Sequence, residues 1–184
     1  MPGVTMPQGR AAGNRPSKLQ SEMHQIRPFK SANQEATVAL LRTASVVNRA
    51  FERIVESAGL SFAQYNALRI IRGTGSRGIP TLAIRERMVD EGTTITRLLD
   101  KLEAGGLISR ERSFPDRRQV ICTVTEEGKR LLDRLDPKVD ALDEEAMGFL
   151  VPARVRELIR ILEEVREQNA ERGAPRSAVI RAGV

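Results

Sequence analysis

Between Ile95 and Val124 the apolar spacing changes from that of a helix to that of a strand, and two consecutive glycines mark the change. Ile95, Leu98, Leu99 and Leu102 recur at three- and four-residue intervals, which puts them on one stripe of a helix within GTTITRLLDKLEAGGL, residues 92–107. Gly105-Gly106 stops that helix, and Leu107 can fold back onto Leu102. ISRERS and RQVICTVT then read as two strands, with Val120, Cys122 and Val124 alternating against Ile121 and Thr123. The intervening FPDRR has a Pro-Asp pair suited to a turn and carries Arg117 and Arg118 at its tip. The chain must therefore pass directly from a short amphipathic helix into a hairpin.

The outer face of that helix is unusual. Thr94, Arg97 and Lys101 fall in line, with Thr93 and Thr96 beside them. Threonine is a poor helix former because β-branching restricts χ1, so local stability does not explain this run. Hydroxyls and an arginine near a helix N-terminus are groups that reach base edges and phosphates in a major groove. Taken alone, such a face could equally be a solvated one, and its neighbours decide. Upstream, Ser61 and Gln64 have capping-box spacing, Leu60 and Tyr65 occupy hydrophobic-staple positions, and the helix they open runs through Leu68 and Ile71 to GTGSRG. A short helix from about Pro80 to Met88 follows, and VDEG turns into the threonine helix. Two short helices joined by a turn form a helix-turn-helix, and a hairpin tipped with arginines immediately after it forms a wing. Arginine suits the narrow minor groove, where the potential is most negative.

Longer helices flank this unit. One spans about 33–58, with Leu40, Ala44, Val47, Phe51, Ile54, Val55 and Ala58 on a stripe and Gly59 at its end. Another starts at Thr125 with Glu126 and Glu127 in its first turn, where carboxylates oppose the macrodipole, and contains Pro137, which is expected to kink it. The last, about 152–170, aligns Val155, Leu158, Ile159, Leu162 and Val165. Together these stripes exceed what one small winged domain covers, so the chain is expected to form a homodimer that sets two recognition helices on a two-fold symmetric site. The expected fold is mainly α with a small β-hairpin wing. Residues 1–31 read as a disordered basic arm, 32–58 and 126–171 as a helical dimerisation region, 60–125 as the winged helix-turn-helix, and 172–184 as a flexible tail.

Charge follows the same division. The net charge of +6 over 184 residues is uneven: residues 61–124 hold eleven basic and seven acidic side chains, whereas 125–170 hold eight and twelve. The positive excess lies where phosphates would be met. A single Cys and a single His exclude a disulfide framework and a His-rich metal site, and no cofactor is expected. Cys122, alternating with the strand, reads as a buried small hydrophobe, and His24 stands alone in the arm. Tyr65 either serves only as the staple partner of Leu60 or also lines a small-molecule effector pocket with Val47 and Phe51. With no apolar run near 18 residues and no signal-peptide pattern, the chain is expected to be soluble and cytoplasmic, away from membranes. Its acidic residues lie on helix surfaces, and no nucleophile–base constellation points to an enzyme. The competing reading, a helical dimeric protein-interaction adaptor with only non-specific DNA affinity, gives no reason for the threonine helix and the arginine wing to occur together.

On these residues the chain resembles the MarR family of transcription regulators, dimeric winged helix-turn-helix proteins. The likeness spans about 34–170 and is most specific in TRLLDKLEAGGLISRERSFPDRRQVICTVTEEG, residues 96–128. Asp116 and Arg118 match the family's Asp-x-Arg wing, and Val124 to Gly128 stand where the family has LTEEG. The resemblance implies that Asp116 holds the wing arginines in place and that Arg117 or Arg118 enters the minor groove. It likewise implies that Thr94, Thr96 and Arg97 lie in the major groove, and that a repressor released from a pseudo-palindromic operator by a small-molecule effector is the expected function.

Overall fold

A computed structural model describes residues 16–89, 94–113 and 119–173. Its contacts divide the chain into two units, Met1–Arg49 and Ala50–Val184. In the first lies helix α1 (Lys18–Glu22), followed by most of α2 (Ala32–Glu56), which runs on into the second. Then come α3 (Phe62–Arg72), a 3-10 turn, strand β1 (Ile79–Pro80), α4 (Thr81–Glu86), α5 (Ile95–Ala104), β2 (Ile108–Arg112), β3 (Val120–Val124), α6 (Glu126–Met147) and α7 (Pro152–Gly173). No helix among the described residues is long and apolar enough to cross a membrane.

The part of the arm that is described departs from the unstructured reading. Ser17 caps α1 by accepting from the Gln20 backbone N–H, and the largely buried Gln20 side chain donates to the Gln25 carbonyl at 3.1 Å. His24, just past α1, turns the chain at φ 52. Local polar bonds thus order a segment that has no apolar period to announce it. Residues 1–15 and 174–184 lie outside the described residues, and α7 extends two residues into the expected tail.

The core of the second unit forms where α3, α5 and the sheet meet. Tyr65, Leu68 and Ile71 of α3, Leu99 and Leu102 of α5, Ile84 of α4, Cys122 of β3 and Leu132 of α6 are all almost fully buried. The capping box opening α3 is present in both directions, Gln64 N–H to Ser61 Oγ and Ser61 N–H to Gln64 Oε1. The sheet has three antiparallel strands in the order β1-β3-β2, not the expected two. The added strand is two residues long, pairing Ile79 with Cys122 and Pro80 with Ile121, too short to show a period-2 pattern. Because of it, Pro80 ends a strand and caps α4, and the helix itself covers only 81–86 of the expected 80–88.

The end of α5 is a Schellman motif: Leu107 N–H reaches the Leu102 carbonyl at 3.0 Å and Gly106 N–H reaches Glu103 at 2.8 Å, with Gly106 at φ 69. Thr125 then joins this turn to the next helix. Its hydroxyl donates to the Gly106 carbonyl at 2.7 Å and accepts from Gly128 N–H at 3.1 Å, while its own N–H bonds the Leu107 carbonyl at 3.1 Å. Gly128 is buried against this junction, and a Cβ there would overlap the Leu107 carbonyl oxygen and press on Val124 Cγ2 at 2.9 Å. From Thr125, α6 continues without interruption through Pro137, and Asp136 forms a 2.7 Å ion pair with Arg72 of α3.

Gly128→Ala is therefore expected to destabilise the protein by about 3 kcal/mol through overpacking. Urea unfolding checks this, and an unchanged midpoint would mean that the junction is loose.

Candidate nucleic-acid interface

α5 owes its position to three leucines. Leu98, Leu99 and Leu102 are buried and Ile95 packs against the same core, so the helix can present only its other side. On that side Thr94, Thr96, Arg97 and Lys101 are all exposed. Thr94 is the N-cap residue, but its side chain makes no capping bond, which leaves the hydroxyl free of the usual local role. Thr96 also borders an open cavity of about 670 Å³ between α4, α5 and the sheet, together with Leu82, Leu99, Arg110 and Val120. Thr93 and the wing residues Asp116, Arg117 and Arg118 lie outside the described residues. β2 and β3, which lead to the wing, are in continuous register from Ile108 opposite Val124 to Arg112 opposite Val120.

Arg110 is a site residue that sequence reasoning missed. It projects from β2 to α5, where its Nε donates to Glu103 at 2.8 Å and one Nη lies 2.7 Å from Asp100. The Glu103 hydrogen bond raises the arginine's already high pKa. Nothing in ISRERS marks this contact, because it depends on how β2 crosses α5.

Cys122 is fully buried, as its alternation implied. Its cross-strand partner is the cationic Arg110. Burial nevertheless dominates and pushes the thiol pKa up, with a Thr81 hydrogen bond and the Arg110 charge opposing it more weakly.

A smaller cavity of about 360 Å³ lies beside α3, lined by Phe51, Phe62, Tyr65, Asn66, Arg69, Ile70, Val89, Val139 and Asp143. Phe51 and Tyr65 are thus brought together as expected, while Val47 is not among the lining residues. Tyr65 is only 2% exposed, and its hydroxyl, although buried, has no hydrogen-bond partner among the described residues. Burial raises its pKa, against the pull of the Arg69 guanidinium, which sits 5.7 Å from the ring centroid. Asn66 also accepts from the Val89 backbone N–H at 2.9 Å, tying the cavity wall to the last described residue before α5.

Helix α4, the turn, helix α5 and the paired strands β2 and β3 make a winged helix-turn-helix. Comparison with known proteins agrees. A model of the transcriptional regulators SarA/Rot matches residues 49–135. The regulator HosA of Escherichia coli is 33% identical over 95 residues, covering 52% of this chain and 69% of that protein. TtmR, an HTH-type transcriptional regulator of Methylorubrum extorquens, is 29% identical over 107 residues, 58% of this chain, and the match spans only 54% of TtmR. Among solved structures, a MarR transcription factor from Planctomyces limnophilus is 37% identical, covers 73% of this chain and 98% of its own, and superposes with a TM-score of 0.57. The chain belongs to the MarR family of transcriptional regulators.

Two expectations follow from the buried groups. Cys122 should react with a thiol reagent at pH 8 far more slowly in the native protein than after denaturation, since a raised pKa lowers the thiolate fraction; equal rates would contradict its burial. Tyr65→Phe, which removes an unpaired buried hydroxyl, should leave stability unchanged or raise it by about 1 kcal/mol in thermal unfolding, and a clear loss would reveal a hidden partner.

Proposed function

We propose that this chain is a homodimeric repressor that binds a pseudo-palindromic operator in double-stranded DNA in the cytoplasm and is released by a small-molecule effector. The observation that carries this reading is the exposed Thr94, Thr96, Arg97 and Lys101 face, opposite a fully buried leucine stripe, on the second helix of a winged helix-turn-helix. Each α5 enters a major groove, with Arg97 at base edges and Lys101 on phosphate. On the family resemblance, Thr93 would join that contact, and Arg117 or Arg118, held by Asp116, would enter the flanking minor groove. A dimer seated on an operator represses by excluding polymerase.

Dimerisation is supported by α7. None of its described side chains is buried, and Ile159, Ile161 and Val165 are exposed, as are Phe149 and Val151 just before it. The apolar stripe of this 22-residue helix is only partly covered, with Val155, Leu158 and Leu162 intermediate in burial, and packing against a partner would stabilise it. A second copy of the chain supplies that cover with the same helix. The effector reading rests on the cavity at Phe51 and Tyr65, whose wall reaches Val89, the last described residue before α5. A ligand there biases the position of the recognition helix.

Fluorescence anisotropy on the DNA flanking the protein's own gene, against scrambled duplex and across a salt series, tests the proposal. The expected result is a preference of at least about a hundredfold, a steep salt slope and two chains per duplex. Binding without preference would leave the adaptor reading. Arg97→Ala should cost about 1–3 kcal/mol and relax selectivity at one base position. Arg118→Ala should weaken binding to all sequences and flatten the salt slope, and an unchanged slope would remove the wing from the interface. Ile159→Glu should yield monomers in analytical ultracentrifugation, and a persistent dimer would place the interface elsewhere.

A further inference from the structure

The exposed side of α5 is not purely cationic. Asp100 lies between Arg97 and Lys101 and is exposed, and Glu103 follows it half-buried. Over Ile95–Ala104 two cations meet two carboxylates, so the helix taken alone has no net charge. Free carboxylates on a groove-facing helix repel the phosphates its cations attract.

Both carboxylates are engaged by a single side chain from outside the helix. Arg110 holds Glu103 Oε2 through both Nε at 2.8 Å and Nη2 at 2.5 Å, and the same Nη2 lies 2.7 Å from Asp100 Oδ1, so one guanidinium answers both acids. Arg97 and Lys101 form no ion pair with any described residue and keep their charge available. The fold itself does not depend on this pairing. Leu98, Leu99, Leu102 and Ile108 are buried where α5 meets β2, and partly exposed ion pairs add little stability beside such burial.

We propose that Arg110 is a positioning residue for DNA binding: it masks Asp100 and Glu103, so that the exposed side of α5 remains attractive to phosphate. This rests on α5 being the helix that meets DNA. It assigns Arg110 no contact with DNA. The residue works through the two carboxylates, and its effect on binding is electrostatic.

The test compares wild type with Arg110→Gln and with the triple variant Arg110→Gln, Asp100→Asn, Glu103→Gln. Each is measured by equilibrium anisotropy on duplex DNA from about 50 to 300 mM salt, a range over which the screening length shortens markedly, with thermal unfolding run in parallel. Arg110→Gln is expected to lose about tenfold in affinity at the low-salt end, with a deficit that shrinks as salt rises and a flatter log–log slope. The triple variant is expected to bind at least as tightly as wild type. A triple variant as weak as Arg110→Gln, or a deficit that is the same at every salt, would overturn the proposal. Should Arg110→Gln fail to fold, Arg110→Lys decides: it keeps the charge and loses the fork, so binding within about threefold of wild type supports masking, and a loss near tenfold in the folded variant overturns it. The comparison reads total duplex affinity, so a wild type without sequence preference would count against the operator reading alone. A wild type with no DNA affinity would end both.

Discussion

The structure depends on the burial of one side of α5. Leu98, Leu99 and Leu102 are inserted between α3 and the sheet, and burying three leucines is worth on the order of 5–8 kcal/mol in transfer free energy. That burial fixes the rotation of the helix about its axis, and rotation alone decides which residues can meet a partner. Thr94, Thr96, Arg97 and Lys101 face outward because the leucines cannot. The Schellman turn at Gly106 and the three bonds of Thr125 then set the direction of the hairpin and of α6 from the same point. Helix α5, the paired strands β2 and β3, and α6 are thus all anchored within a few residues of one junction.

Polar contacts refine what the leucines establish. Arg110 ties β2 to α5 through Asp100 and Glu103, and Arg72 ties α3 to α6 through Asp136. Asn66 holds the backbone N–H of Val89, the last described residue before α5.

Much of the fold was legible in the sequence because its signals are local. The α5 leucine stripe, the Ser61–Gln64 capping box, the Gly105-Gly106 stop and the Thr125 cap are each read within a few residues, and the structure places all of them as expected. What escaped was non-local. β1 exists only because Ile79 meets Cys122 forty-odd residues away, and two residues carry no period. Arg110 reaches α5 across a crossing angle that no spacing encodes. Helix α1 forms from Ser17, Gln20 and Gln25 hydrogen bonds within an apparently featureless arm. The outward threonines and cations were legible for the same reason as the leucines, being the complement of the same stripe. Gly128, by contrast, was recognised only as part of a motif, and its reason emerged from the Leu107 carbonyl packed against it.

Hydroxyl-radical and methylation footprinting of the protein on its operator would test most directly whether the outward face of α5 reads DNA. A dimer reading through α5 predicts two half-sites centred about one helical turn, roughly 10 base pairs, apart. Each should show guanine N7 protection in the major groove flanked by backbone protection at the minor groove, with the N7 protection lost in Arg97→Ala. Uniform backbone protection with no major-groove signal, unchanged by that substitution, would contradict it.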